Sequence, residues 1–251
     1  PMLSHLAYSM QENRGGTEGT QVRIEYDRAL EILNDEDSDE IIHAGIDLNV
    51  LDEDTSQEEI SFFHQLLQEY FAARSLARNL ETGLITTPWR VGGVTPSLEE
   101  TIQQIAYSDP LPSLPTTGWE ETCILAAAMT ANPEEYVRKV ATVNLSLAGR
   151  CASSPDVRVT PQLQRFLQES LIERTRDLTA DLRARIEAGL VLGNLGDPRL
   201  EKYTGKYGSY LSPNMIDIPG GNFTIGQNII ESVTYALHRV VITAPHYPSS
   251  I

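Results

Sequence analysis

Apolar residues recur at helical spacing along most of the chain and switch to strand spacing in a few places. Leu3, Leu6, Ala7 and Met10 repeat every three or four positions, which predicts a helix over 3–12. The glycine-rich stretch from Gly15 to Gly19 ends it. Ala29, Leu30 and Leu33 predict a second short helix over 26–33, and Asp39 reads as the cap of a third, through Ile41 and Ile42, that stops at Gly45. The period then changes to two. Ile46, Leu48 and Val50 alternate with Asp47 and Asn49, which predicts a strand, and an acidic turn runs from Asp52 to Gln57. Ile60 and Phe62 flank Ser61 on a second strand, and this hairpin runs straight into a helical segment that ends near Ala73. Short helices followed by a two-stranded wing are the layout of a winged-helix domain.

Residues 80–116 read as a loop-rich connector. Pro88, Gly92, Gly93, Pro96, Pro110, Pro112 and Pro115 surround one helix at 97–107, begun by Ser97 with Glu99 and Glu100 in its first turn. From 117 to 201 the pattern is strongly helical. Trp119, Cys123, Leu125, Ala126 and Met129 form one apolar stripe. Pro133 starts a helix that Val137, Val140, Val143, Leu145 and Leu147 carry to Gly149. Leu163, Phe166, Leu167 and Leu171 mark another, and the last runs from Leu182 through Ile186 and Leu190 to Leu195, closed by Gly196 and Pro198. Helical hairpins of this size stack into HEAT-like arrays. Beyond them, Met215, Ile216 and Ile218 predict a strand, Gly220-Gly221 a tight turn, Phe223 and Ile225 a returning strand, and Leu237–Ile242 a further one. The expected fold class is therefore mainly α: a winged-helix domain over 1–80, a HEAT-like helical array over 81–207, and a short β-rich segment over 208–251.

Composition narrows the chemistry. The chain has 251 residues, 41% apolar, 7% aromatic, with a formal charge of −16. Such an acidic chain is a poor partner for nucleic acid, whose phosphates require clustered Lys and Arg, and for anionic membranes. No apolar run approaches the roughly 18 residues of a membrane span, and no signal peptide opens the chain, so a cytoplasmic setting is expected. Between Arg28 and Arg74 there is no Lys or Arg, while Glu31, Asp35, Glu36, Asp37, Asp39, Glu40, Asp52, Glu53, Asp54, Glu58 and Glu59 all fall there. The plain reading is a solvated acidic face; the sharper one is a docking surface for a basic partner or a neighbouring domain. Cys123 and Cys151 form no Cys-x-x-Cys pair, so zinc is not expected, and both read as buried thiols of a reducing compartment. No nucleophile elbow, shared histidine spacing or phosphate-binding Gly-x-x-x-x-Gly-Lys-Ser/Thr loop is present, and Gly205-Lys206 lacks the residues around it that such a loop needs. Phe62, Phe63, Leu67, Tyr70 and Phe71 read as core.

One stretch is far more specific. Phe62-Phe63-His64-Gln65-Leu66-Leu67-Gln68-Glu69-Tyr70-Phe71-Ala72-Ala73 closely resembles the helix that ends the nucleotide-binding module of NACHT-type signalling ATPases, the STAND class. That family's pattern is aromatic, His, two or three residues, then Gln-Glu-aromatic-aromatic-Ala-Ala, in a helix that follows a winged helix. The resemblance implies that His64 reaches from the winged helix to the β-phosphate of bound ADP, while Gln68 and Glu69 lock the helix against its neighbours. It also implies ADP or ATP with Mg in the parent protein, held mainly by an upstream nucleotide-binding domain of the same parent beyond Pro1, and homo-oligomerisation on activation. No catalytic residue and no metal ligand is expected in this chain, which should neither hold ATP tightly nor hydrolyse it alone.

A second resemblance covers the end of the chain. Arg185-Ile186-Glu187-Ala188-Gly189-Leu190-Val191-Leu192-Gly193-Asn194-Leu195-Gly196-Asp197-Pro198-Arg199 is similar to the repeat ending Ala-Gly-x-x-Leu-Gly-x-Leu-Gly-Asp-Pro-Arg. In multidomain bacterial proteins that repeat often precedes a formylglycine-generating-enzyme-like, or sulfatase-modifying-factor-like, domain. Met215-Ile216-Asp217-Ile218-Pro219-Gly220-Gly221-Asn222-Phe223-Thr224-Ile225-Gly226 resembles that domain's opening, with Ile225 where Met is usual. The His238 segment matches its next strand, without the family's proline after Glu231. The resemblance implies the opening of a C-type-lectin-like domain. Neither Cys123 nor Cys151 falls where the family's catalytic cysteines lie. Three functions are therefore open: the regulatory and sensor part of a bacterial STAND ATPase with a role in defence, its C-terminal domain taking an unidentified ligand; the scaffold of a formylglycine-generating or sulfoxide-synthase-like enzyme; or a protein-binding helical adaptor.

Overall fold

The computed structural model describes residues 1–12, 23–106, 108–213, 221–225 and 238–242. The chain is mainly helical and divides into two units, Pro1–Asp197 and Pro198–Ile251. Among the described residues the first unit contains ten α-helices and one small antiparallel sheet.

The first unit opens with α1 (Met2–Glu12), which buries Leu6, Ala7 and Met10. A short strand β1 (Arg23–Glu25) leads into α2 (Tyr26–Leu33) and α3 (Ser38–Asp47). The hairpin β2 (Leu51–Asp54) and β3 (Glu59–Phe62) follows, then α4 (Gln65–Leu76). The sheet order is β1-β3-β2, all antiparallel, so β3 is central, with Ile60 facing Ile24 on one side and Glu53 on the other.

This sheet corrects the sequence expectation in two places. Residues 46–50 are not a strand. α3 passes Gly45 and ends at Asp47, and Asn49 takes the left-handed conformation (φ 54°) that closes helices. The Val50 N–H returns to the Gly45 carbonyl at 2.8 Å, so these residues terminate a helix. The strand is the segment expected to be an acidic turn. Leu51 is buried, Asp52 is exposed, and the acids are tolerated because β2 is an edge strand with one side open to water. The true turn is tighter: the Asp54 carboxylate accepts from the Ser56 amide at 3.0 Å and its hydroxyl at 2.6 Å. The third strand, β1, was not expected; three residues are too few to show a period.

The connector holds a single turn of 3₁₀ helix at Thr82–Ile85 and α5 (Leu98–Gln104), which starts on a full capping box between Ser97 and Glu100. Then come α6 (Glu120–Met129), α7 (Pro133–Val143), α8 (Leu145–Ser153), α9 (Pro161–Arg176) and α10 (Leu182–Leu195). The single helix expected over 133–149 is two. Asn144 breaks it with extended backbone (φ −146°, ψ 92°), ending α7 and capping α8. Gly149 lies inside α8, where a side chain would stand 2.4 Å from a Val191 methyl, so its lack of a Cβ lets α8 and α10 approach. One continuous core runs from Leu6 through Phe62 and Leu147 to Leu195, and α4 packs on both α1 and α6. Arg183, almost fully buried, is chelated by Asp181 at 3.0 Å and also donates to Thr101 and to the Pro96 carbonyl, which fastens the connector to α10.

The second unit contains a hairpin that the sequence reading missed, β4 (Leu200–Gly205) with β5 (Gly208–Pro213), turning at Lys206-Tyr207. β6 (Gly221–Ile225) pairs with β7 (His238–Ile242), from Gly221 opposite Ile242 to Ile225 opposite His238. Both lie where strands were expected. The strand expected at Met215–Ile218 lies outside the described residues.

Candidate functional site

α4 begins at His64, which has extended backbone (φ −141°, ψ 138°) and caps the helix by accepting the Leu66 N–H at Nδ1, 3.2 Å away. That bond fixes the tautomer. Nδ1 is an acceptor, so the neutral ring carries its proton on Nε2. The side chain is exposed, and no hydrogen bond or ion pair in the described residues engages its Nε2. The ring therefore presents one N–H donor to the surroundings from the start of a helix.

Histidine is an unusual cap. The other capped helices of this unit use the favoured residues: Ser97, Asn132, Asn144, Thr160 and Asp181. A histidine at this position adds what those residues lack, a second nitrogen on the far side of a rigid ring.

The surface beside it is apolar. Phe63, Leu66 and Tyr70 are 59%, 62% and 43% exposed; Leu66 and Tyr70, four apart, share one face of α4, and Phe63 lies just before its cap. This corrects the expectation that Phe63 and Tyr70 are core. Phe62, the last residue of β3, is core, fully buried with its ring 5.8 Å from that of Phe71, whereas Phe63, just past the strand, is exposed. Tyr70 stays at the surface with its ring edge-on to Phe71. α4 buries Gln68, Glu69, Ala72, Ala73 and Leu76. Glu69 accepts from Gln65 at 2.8 Å within the helix, and Ser75 donates to the Ser4 carbonyl at 3.1 Å, which ties α4 to α1.

Other residues weighed in the sequence lie elsewhere. The run of acids from Glu31 to Glu59 is partly or fully exposed. Cys123 on α6 and Cys151 on α8, distant in sequence, are buried neighbours, and the Tyr136 hydroxyl donates to the Cys123 Sγ at 3.5 Å. The adjacent Cys123 thiol and burial together raise the Cys151 thiol. Nothing in their sequence spacing signalled the contact. His43 faces Asp39 at 3.5 Å and His5 is exposed. Among the described residues no cluster of three or more His, Cys, Asp or Glu is placed to hold a metal ion, and no helix is long and apolar enough to cross a membrane. No family model, curated protein or solved structure matches the chain.

Proposed function

We propose that this chain is the regulatory and sensor portion of a NACHT/STAND-type signalling ATPase. In this reading β2, β3 and α4 are the wing and following helix of a winged-helix domain, α6–α10 are a HEAT-like array, and the β-rich unit opens a formylglycine-generating-enzyme-like domain that receives a ligand. The observation that carries the reading is the unused Nε2–H of His64, held outward at a helix start beside exposed Phe63, Leu66 and Tyr70.

The resemblance assigns this N–H to the β-phosphate of ADP bound in an upstream lobe. The nucleotide, held with Mg by that lobe, supplies the phosphate charge that separates the closed from the open state. His64 supplies a directed donor, and a hydrogen bond to a charged acceptor contributes about 1.5–3 kcal/mol, roughly tenfold to a hundredfold in nucleotide retention. The apolar stripe adds burial: each large side chain removed from water contributes about 1.5–3 kcal/mol at full burial. Both contributions are lost when the lobes part, so nucleotide exchange biases a two-state equilibrium by differential contact. Opening frees this face for homo-oligomer formation, and a ligand at the C-terminal domain shifts the same balance through the helical array.

The test is nucleotide content. Full-length protein, including the sequence upstream of Pro1, should purify with ADP bound, and His64→Ala should lose most of it and oligomerise without stimulus. Protein that carries no nucleotide, or a variant that retains ADP and stays quiescent, contradicts the reading.

A further inference from the structure

Between α8, α10 and the proline-rich segment 110–116 lies a cavity of about 300 Å³, at the small end of the range for ligand pockets. Its walls are mostly aliphatic, with Leu111, Leu114 and Pro115 on one side and Leu147, Ile186 and Leu190 on the other. Ile186 and Leu190 are 45% and 68% exposed, although the sequence places both on an apolar stripe. α10 buries its other face instead, through Ala184, Ala188, Val191, Leu192 and Leu195.

Four ionisable side chains line the cavity, and three have partners. Arg150 pairs with Glu121, and Arg183 with Asp181. Glu120 accepts from the Thr117 and Gly118 amides at 2.8 and 3.0 Å. Glu187 has no hydrogen bond or ion pair among the described residues. Burial pushes its carboxyl above the usual range; Arg150 on α8 and Arg174 on α9 pull it back, and Glu120 on α6 pushes it further up. A half-buried carboxylate facing open space, with aliphatic walls beside it, is incomplete in one specific way. It lacks a directly bonded cation, and the exposed walls lack an apolar cover.

We propose that this cavity binds a small organic amine, its ammonium on the Glu187 carboxylate and its aliphatic or aromatic body against Leu147, Ile186 and Leu190. A hard metal ion is a poorer fit, because it needs several oxygen ligands and Glu120 is already engaged. An anion would face Glu187 and Glu120 with both guanidiniums already paired. The site lies within the helical unit and stands or falls independently of the nucleotide reading.

The probe is phenethylamine, with phenethyl alcohol and phenylacetate as its neutral and anionic twins, added to the full chain and followed by ligand-observed NMR. The amine should bind at least about tenfold more tightly than either twin. Glu187→Gln should reduce amine affinity by about the same factor and leave the weak binding of the alcohol unchanged. Amine affinity should also fall as the pH is lowered through the raised Glu187 titration, while that of the alcohol stays flat. Because Gln preserves the shape of the site, circular dichroism should show unaltered folding; Glu187→Asp, which keeps the charge, should retain part of the affinity. No binding of the amine at millimolar concentration, equal binding of all three probes, or amine binding indifferent to Glu187→Gln overturns the proposal. So does a lysine-containing peptide that binds where the free amine does not.

Discussion

α4 and α8 both start on a side chain that accepts a backbone N–H, and they differ in what the rest of that side chain does. Asn144 accepts from Leu147 at 3.0 Å, and its amide nitrogen donates to the Ile85 carbonyl and the Thr87 hydroxyl, both at 3.1 Å. Each end of that amide is engaged, and its neighbour Leu147 is buried. His64 also accepts from its helix, but its second nitrogen faces outward and its neighbours Phe63 and Leu66 are exposed. A cap whose polar groups are all used internally is structural. A cap built from a less favoured residue, with a donor left over beside exposed aromatic surface, is what the proposed nucleotide contact would need.

The largest expected effect separates two adjacent phenylalanines. Phe62→Ala should destabilise the first unit by about 3–5 kcal/mol, because it opens a cavity in the core. Phe63→Ala should stay within about 0.5 kcal/mol in chemical denaturation. Similar losses at both positions would mean that Phe63 is covered within this chain and would remove the contrast.

Next in size is the buried ion pair at the start of α10. Asp181→Asn leaves the Arg183 guanidinium buried without its counter-charge and should cost about 3 kcal/mol near neutral pH. Hydrogen bonds from Arg183 lower the Asp181 carboxyl below its usual value, so the folded form binds that proton less readily than the unfolded chain. The stabilisation is therefore complete above the ordinary carboxylate value of about 3.9 and disappears as the pH falls through the lower folded value. Denaturation of wild type and variant should converge on acidification; a gap that stays constant down to about pH 2 would contradict this assignment.

Asn144→Ala should cost about 2 kcal/mol, since it removes a cap and strands the Ile85 carbonyl. His64→Asn should cost nothing, or stabilise by a few tenths of a kcal/mol, because Asn is the better cap. Thermal melts of the pair would sharpen the comparison: one substitution at a cap removes structure, the other removes only an outward donor.

Much of the helical framework was legible in the sequence because its boundaries carry local chemistry. Pro133 in the first turn of α7, the capping box at Ser97 and Gly196 after α10 act through their immediate neighbours. What escaped depended on distant partners. The break at Asn144 is held by residues nearly sixty positions away. Asn49 looked like the polar member of a strand because alternation and a left-handed helix stop give the same short pattern. Apolar identity alone could not say that Phe63, Tyr70, Ile186 and Leu190 face outward, since exposure depends on which elements cover them. At the candidate site, the family-like pattern singled out His64, which caps α4, and Gln68 and Glu69, which are buried. The tautomer became visible only with the Leu66 amide in place, and the Glu187 cavity only with the proline-rich segment folded against α10.

The most direct test of the central claim is the ADP dissociation rate of full-length protein, wild type against His64→Asn. The substitution keeps the cap and deletes the Nε2–H. The account predicts release faster by about tenfold or more with an unchanged melting temperature. Equal release rates at equal stability would show that the outward nitrogen touches no nucleotide.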